Sequence, residues 1–306
     1  MGEVEEKGLK NIVQYGLKAV LDLFIPRKCI VCERSLGVEE LHLCRECHDD
    51  IPHTYYWVRK FNPMADRFNV LIQEELERVW PADERMGETM FEDADTSRTH
   101  IDYAYAAALF FYRAESGYSQ ISRQLKYHGN IPAGQFFGRK LGQAIASAEH
   151  FADVDAVIPV PLHWTRKWSR GYNQAEIIAR EVAAELGAEL RTDILKRSRR
   201  TRTQTKLSVE GKAANVQGAF SVCPGILDSF RITNSNHDLS PTTHNLPQPC
   251  SPKADISDLT GLKHLLIVDD VFTTGSTLYA CYTALREVFP PSVRISVATL
   301  GFVGGT

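Results

Sequence analysis

The run His264-Leu265-Leu266-Ile267-Val268 passes directly into Asp269-Asp270-Val271-Phe272-Thr273-Thr274-Gly275-Ser276-Thr277, and then into a segment of helical periodicity. A strand this apolar suits burial on both faces, the setting of parallel sheets in α/β proteins. Two carboxylates at its carboxyl end stand where open α/β sheets take up ligands. Small residues with one glycine let the backbone curl so that successive N–H groups converge. The hydroxyls and the helix N-terminus extend that anion cradle. Carboxylates beside an anion cradle suit a phosphorylated sugar, with magnesium between. The plainer alternative is that Asp269 and Asp270 cap a helix and the threonines satisfy a turn. Neither G-x4-G-K-[ST] nor GxGxxG occurs, which weighs against nucleoside-triphosphatase and dinucleotide readings.

The surrounding pattern supports an α/β class. It predicts strand Ala156–Val160, helix Asn173–Leu186, a short strand near Leu190, helix Ser276–Val288 and strand Val293–Leu300. Alternation of this kind points to a parallel sheet with helices on both faces. Upstream, strand Tyr103–Tyr112 precedes helices Tyr118–Tyr127 and Ala133–Glu149, with Gly129 and Pro132 breaking between them. Leu9 to Phe24 recurs at helical spacing and stops at Pro26. Leu71–Arg98 carries nine acidic residues and is expected to be a solvated insertion, helical at most in its first half. Ser221–Thr260 has no apolar periodicity and five prolines, and is expected to be a flexible excursion. The domains expected are 1–60 (N-terminal helix and zinc ribbon), 61–102 (linker with acidic insertion) and 103–306 (the α/β domain, with the excursion at about 221–260).

Four of the seven cysteines, Cys29, Cys32, Cys44 and Cys47, form C-x2-C, eleven residues, C-x2-C. Two such knuckles complete a tetrahedron of thiolates around one structural zinc. Four thiolates leave no open position for water, so this zinc organises the fold and does no chemistry. His42 and His48 are then bystanders, and Cys223, Cys250 and Cys281 take no assigned role. Two disulfides or a redox pair fit poorly with the absence of a secretory leader. No run of eighteen apolar residues spans a membrane, and a cytoplasmic location is expected.

The net charge of −3 excludes a chain-wide polyanion binder. Between Pro161 and Phe220, however, 12 basic residues face 6 acidic ones, a local +6 that leaves −9 for the rest. An anionic ligand near this segment is the functional reading, and a solvated basic surface the bland one.

IVDDVFTTGST resembles the PRPP-binding signature of type I phosphoribosyltransferases. The resemblance implies a phosphoribosyltransferase-like sheet, with Asp269 and Asp270 for the ribose hydroxyls. It implies Thr273, Thr274, Gly275, Ser276 and Thr277 for the 5′-phosphate, with magnesium as cofactor. The chain also carries LKYHGN (125–130), VIPVPLHWTRKWSRGYNQAE (157–176) and QTKLSVEGKAANVQGAF (204–220) after its cysteine knuckles. That order is similar to the ComF family, over about two thirds of the chain, leaving aside 71–98 and 221–260. The family resemblance implies DNA uptake in natural transformation, handling of single-stranded DNA in the cytoplasm, and an ATP-driven partner.

Pro159-Val160-Pro161 falls where phosphoribosyltransferases hold pyrophosphate, and Arg166, Lys167 and Arg170 could supply the charge. Residues 199–216, with Lys206 and Ser208, look similar to the flexible loop that closes over PRPP in amidophosphoribosyltransferases. Trp164, Trp168 and Tyr172 lie among cations, and with Arg199, Arg200 and Arg202 form the candidates for stacking and neutralising single-stranded nucleic acid. No nucleophile or catalytic base stands out. The start Met1-Gly2 lacks the N-terminal cysteine of a glutaminase domain. Three readings stay open: a ComF-like DNA-handling protein with a sugar-phosphate pocket, an active phosphoribosyltransferase on an unknown acceptor, and a zinc-knuckle scaffold whose pocket is vestigial.

Overall fold

The computed structural model describes residues 26–79, 103–163, 168, 170–197, 218–223 and 261–304. Five strands form one parallel sheet: β1 (Ala106–Phe111), β2 (Ala156–Pro159), β3 (Glu189–Leu190), β6 (His264–Phe272) and β7 (Arg294–Phe302). Their order is β1-β7-β6-β2-β3. A separate antiparallel ribbon pairs β4 (Leu195–Arg197) with β5 (Phe220–Val222). The helices are α1 (Arg45–Asp49), α2 (Pro63–Val79), α3 (Ser119–Tyr127), α4 (Ile131–Ala146), α5 (Gln174–Leu186) and α6 (Ser276–Arg286). The architecture is therefore α/β, as the alternation predicts.

Strand β6 is central and buried on both sides because successive side chains leave a strand in opposite directions. Leu265 and Ile267 enter one core, with Leu278, Cys281, Tyr282 and Leu285 of α6 and Phe68 of α2. Leu266 and Val268 enter the other, with Ile121 and Leu125 of α3, Phe137 and Leu141 of α4 and Ile178 of α5. The cysteine-rich segment belongs to that second core: Cys29, Ile30, Leu36, Leu43 and Cys44 pack into it.

Helix α4 lies close against α5 because it presents glycine at every fourth residue. A Cβ added at Gly138 would come 3.1 Å from Ile178 Cα, and one at Gly142 would come 2.8 Å from Glu185 Cβ. Contacts this short leave no room for side chains on that stripe. Helix α5 starts at Asn173, whose side chain accepts the Ala175 N–H at 3.2 Å, and ends at Gly187 in the left-handed region.

Several expectations need correction. Strand β6 continues to Phe272, so Asp269 and Asp270 lie inside the strand and not in the loop beyond it. Residues 71–79 belong to α2, whose Met64, Ala65, Phe68 and Ile72 are buried, so the acidic stretch begins in a packed helix. The acids at its carboxyl half masked the apolar spacing of its first half. Pro132 lies in the first turn of α4, where a missing N–H costs nothing, and does not break the chain there. Ser221 and Val222 are in β5 and so do not belong to the excursion. The predicted helix within 9–24, the remainder of 71–98, and 224–260 lie outside the described residues.

At the amino end of β6, His264 is fully buried between Asp153 and Ser296, with Nδ1 2.7 Å from Asp153 Oδ1 and Nε2 2.8 Å from Ser296 Oγ. Ser296 Oγ also accepts the Tyr105 N–H at 3.1 Å. A neutral ring donating from Nδ1 and accepting at Nε2 satisfies every group. Burial holds the imidazole below its ordinary value, outweighing the upward pull of Asp153. The unfolded chain therefore takes up this proton first, and stability falls as the pH drops below about 6.5. His264→Gln should flatten that fall between about pH 7 and pH 5, as read from urea midpoints at each pH. Parallel curves for the two proteins would exclude this residue as a source of the pH dependence.

Candidate functional site

Helix α5 follows β2 and leads outward to β3, whereas α6 follows β6 and leads the other way to β7. The chain therefore reverses its direction of travel across the sheet between β2 and β6, and the carboxyl ends of such a pair are the position at which doubly wound sheets bind ligands. Pro159 of β2 is level with Val268 of β6, and the Val160 N–H donates to Val268 O at 2.9 Å. The acidic pair thus emerges beside Pro159-Val160-Pro161.

The pleat that divides the cores also divides the carboxylates. Asp270 follows Leu266 and Val268 toward the face of α3, α4 and α5, and is only 7% exposed. Lys126, in the last turn of α3, places its ammonium 2.6 Å from Asp270 Oδ2. Burial disfavours the ammonium, yet Asp270 and then Asp269 hold the lysine pKa above its ordinary value. Asp269 follows Leu265 and Ile267 toward the other face, and its Oδ1 accepts the Asp270 N–H at 2.9 Å. Burial, followed by the neighbouring Asp270 charge, pushes Asp269 up to about 7, against the opposing pull of that N–H, Lys126 and Arg197.

The loop behind the strand reaches α6 through Gly275, at φ 83°, where an added Cβ would sit 2.7 Å from Phe272 Cζ. Backbone sign and space both call for glycine there. Gly275 provides no side-chain cap, which leaves the first-turn N–H groups of α6 to other acceptors. Thr274 and Ser276 hold their hydroxyls 2.9 Å apart at the loop mouth, Thr273 is exposed, and Thr277 is half-buried in the first turn. Asp269, Asp270, Thr273, Thr274, Gly275, Ser276 and Thr277 are therefore contiguous in the strand, loop and first helical turn, with the two carboxylates on opposite faces of the strand.

Beside them lies the loop between β2 and α5. Asn173 Nδ2 donates to Val160 O at 3.0 Å and so ties the strand exit to the helix start. Tyr172 donates its hydroxyl to Leu125 O, and the Arg170 guanidinium lies 5.5 Å from the centre of the Tyr127 ring. Both contacts clasp the end of α3 around Lys126. Tyr172 is thereby anchored and half-buried, whereas Trp168 is 88% exposed and Tyr127 is 72% exposed. Trp164, Arg166, Lys167, Arg199, Arg200, Arg202, Lys206 and Ser208 lie outside the described residues. The ribbon that borders 198–217 packs on α6, and its Arg197 acts on Asp269.

Two residues of this site were missed by reasoning from residue types. Lys126 is in LKYHGN, and the only signal for it was a cation in the last turn of a helix near a basic loop. Arg197 was one of many basic residues in its segment, with nothing to set it apart.

The sulfurs of Cys29, Cys32, Cys44 and Cys47 lie within 4.8 Å of one another, with Cys32 Sγ and Cys44 Sγ 3.7 Å apart. Tetrahedral Zn–S bonds of about 2.3 Å separate sulfurs by about 3.8 Å, so four thiolates arranged in this way can bind a metal such as zinc. Burial raises the Cys29 thiol, but the N–H groups of Cys44, Cys32 and Val31 outweigh it and bring the thiol down to about 7. Burial and the other thiols push Cys47 up, because four sulfurs in one space resist ionising together. His42 packs 5.4 Å from the Phe136 ring, and His48 faces Asp49 and Lys140; neither joins the cluster.

Fold and site define a parallel α/β protein with an acidic pair at the carboxyl edge of its sheet and, on one flank, four close cysteines that could bind a metal. No known family model and no curated protein matches the sequence. No helix among the described residues is long and apolar enough to cross a membrane.

Purified protein should carry about one metal ion per chain by elemental analysis, and a strong chelator should lower its thermal midpoint by several degrees. Cys44→Ser should lose the ion and show no further chelator response. A metal-free native protein with an unchanged midpoint in chelator would rule out the metal centre.

Proposed function

We propose that this chain is a ComF-like protein whose pocket binds a phosphorylated sugar of the PRPP type with magnesium, and whose cysteine centre holds structural zinc. The observation that carries the proposal is Asp270: a carboxylate nine-tenths buried at the carboxyl end of the central strand, next to the TTGST loop and at the point where the chain reverses its direction of travel across the sheet. A buried charge there needs a partner; Lys126 supplies one, and a hydroxyl-rich ligand or a hard cation could take its place.

The counter-charge of Asp270 Oδ2 is the Lys126 ammonium, 2.6 Å away. An oxygen acceptor in this state fits magnesium chemistry. Asp270 is the residue that would hold the ion, while Asp269 faces the other side of the strand. When bound, magnesium would neutralise the diphosphate of PRPP. The chain's own contribution is positioning. The Gly275 turn aims first-turn N–H groups of α6 at the 5′-phosphate, and Thr274 and Ser276 add hydroxyl donors. Asn173 keeps the Pro159-Val160-Pro161 exit in place for the anion opposite.

Calorimetric titration with PRPP and magnesium should show saturable binding by the parent and none by Asp269→Asn/Asp270→Asn. Absence of binding by the folded, metal-loaded parent would defeat the sugar-phosphate reading.

The DNA-handling part of the proposal is supported by Trp168, Tyr127 and Arg170, two exposed aromatic rings beside a cation. Such rings stack on unpaired bases at about 1–3 kcal/mol each, so Trp168→Ala should weaken single-stranded DNA binding by roughly 5- to 150-fold. Affinity should also fall steeply between low and physiological salt. Fluorescence anisotropy with a labelled oligonucleotide reads both effects, and salt-independent binding would refute this part.

A further inference from the structure

Asp270 and Lys126 meet at 2.6 Å inside the pocket assigned above to a cation and a sugar phosphate. The Asp270 side chain is 10% exposed and that of Lys126 32%, so the ammonium reaches into the pocket from its solvent side. A divalent cation bound at Asp270 Oδ2 needs the space that Nζ occupies. An ammonium and a magnesium ion cannot both lie within contact distance of one carboxylate oxygen without strong repulsion.

Lys126 is also held from behind. The Tyr172 hydroxyl grips the carbonyl of Leu125, and Arg170 covers the ring of Tyr127. The backbone on either side of the lysine is therefore fixed to the basic loop that follows Pro159-Val160-Pro161. Its four-carbon stem can swing the ammonium while the helix stays in place.

We infer that Lys126 is a tethered competitor for the divalent cation: its ammonium neutralises Asp270 in the empty pocket, must leave when the cation binds, and then turns to the anionic groups of the sugar phosphate. The cation alone thus binds weakly, because it has to displace a charge already in place. Cation and anion together bind well, because the displaced ammonium gains a new partner. The inference rests on the proposed pocket but makes a separate claim, that Lys126 opposes the metal and favours the anion.

The test uses MnCl2 alone, followed by MnCl2 with PRPP, on the full chain with its metal centre loaded. Free Mn2+ is read by electron paramagnetic resonance. Lys126→Met should bind Mn2+ at least about tenfold more tightly than the parent, within the usual range of coupling between sites. Lys126→Gln, which is polar and uncharged, should behave in the same way. Adding PRPP should tighten Mn2+ binding in the parent by a larger factor than in either variant. In the parent, acylation of Lys126 followed by mass spectrometry should rise when Mn2+ saturates the pocket and fall again with PRPP. Variants that fold, judged by thermal midpoint and metal content, yet bind Mn2+ no more tightly than the parent would overturn the inference. So would Mn2+ binding to the parent with unchanged Lys126 reactivity. If PRPP has no effect on any protein while the manganese-only results hold, the sugar-phosphate reading fails and the competition at Asp270 stands.

Discussion

The pleat of β6 is the constraint on which the rest of the structure depends. A strand buried on both faces must alternate its side chains between two cores, and β6 does so from Leu265 to Val268. Asp269 and Asp270 continue the alternation one step past the apolar run. Adjacent carboxylates that would chelate one ion from a flexible loop are instead sent toward different neighbours. Asp270 meets Lys126 of α3, whereas Asp269 is turned toward α6 and Arg197 and bonds the following N–H. The acidic pair is therefore two environments. One carboxylate is neutralised by a lysine, and the other is pushed toward neutrality by burial.

This asymmetry explains which parts of the site could be read from the residues. The order strand, acids, small residues, helix is a local pattern, and the structure follows that order because each step depends on near neighbours. The α/β class is legible for the same reason. Lys126 is 144 residues from Asp270 in the chain, and only the crossover from β1 through α3 brings them together. No periodicity within LKYHGN could report that. The glycine stripe of α4 is similar: Gly134, Gly138 and Gly142 stand in plain view four residues apart. Their meaning needs the partner helix α5, which begins 28 residues after α4 ends.

Errors at element ends have a common cause. Helix α2 was obscured because acidic residues at its far end raised the average polarity of a segment whose first turns are core. Strand β6 runs on to Phe272, past the end of the apolar run at Val268. Inside a sheet covered on both sides, a carboxylate is tolerated when a cation reaches it, and Lys126 does.

The cysteine centre and the pocket share a single short helix. Just before α3, Gly117 lies so close to the cysteine knuckle that an added Cβ would come 2.4 Å from Val31 O, and the Tyr118 hydroxyl donates to Cys47 O at 2.8 Å. Eight residues later, Lys126 meets Asp270, and Tyr172 and Arg170 hold the residues on either side of it. The four-cysteine knuckle therefore sets where α3 begins, and the loop after β2 sets where it ends. The lysine stands at the end of a helix held at both ends. A knuckle that takes no part in the pocket can influence it in this way, by fixing the base from which one ammonium reaches it.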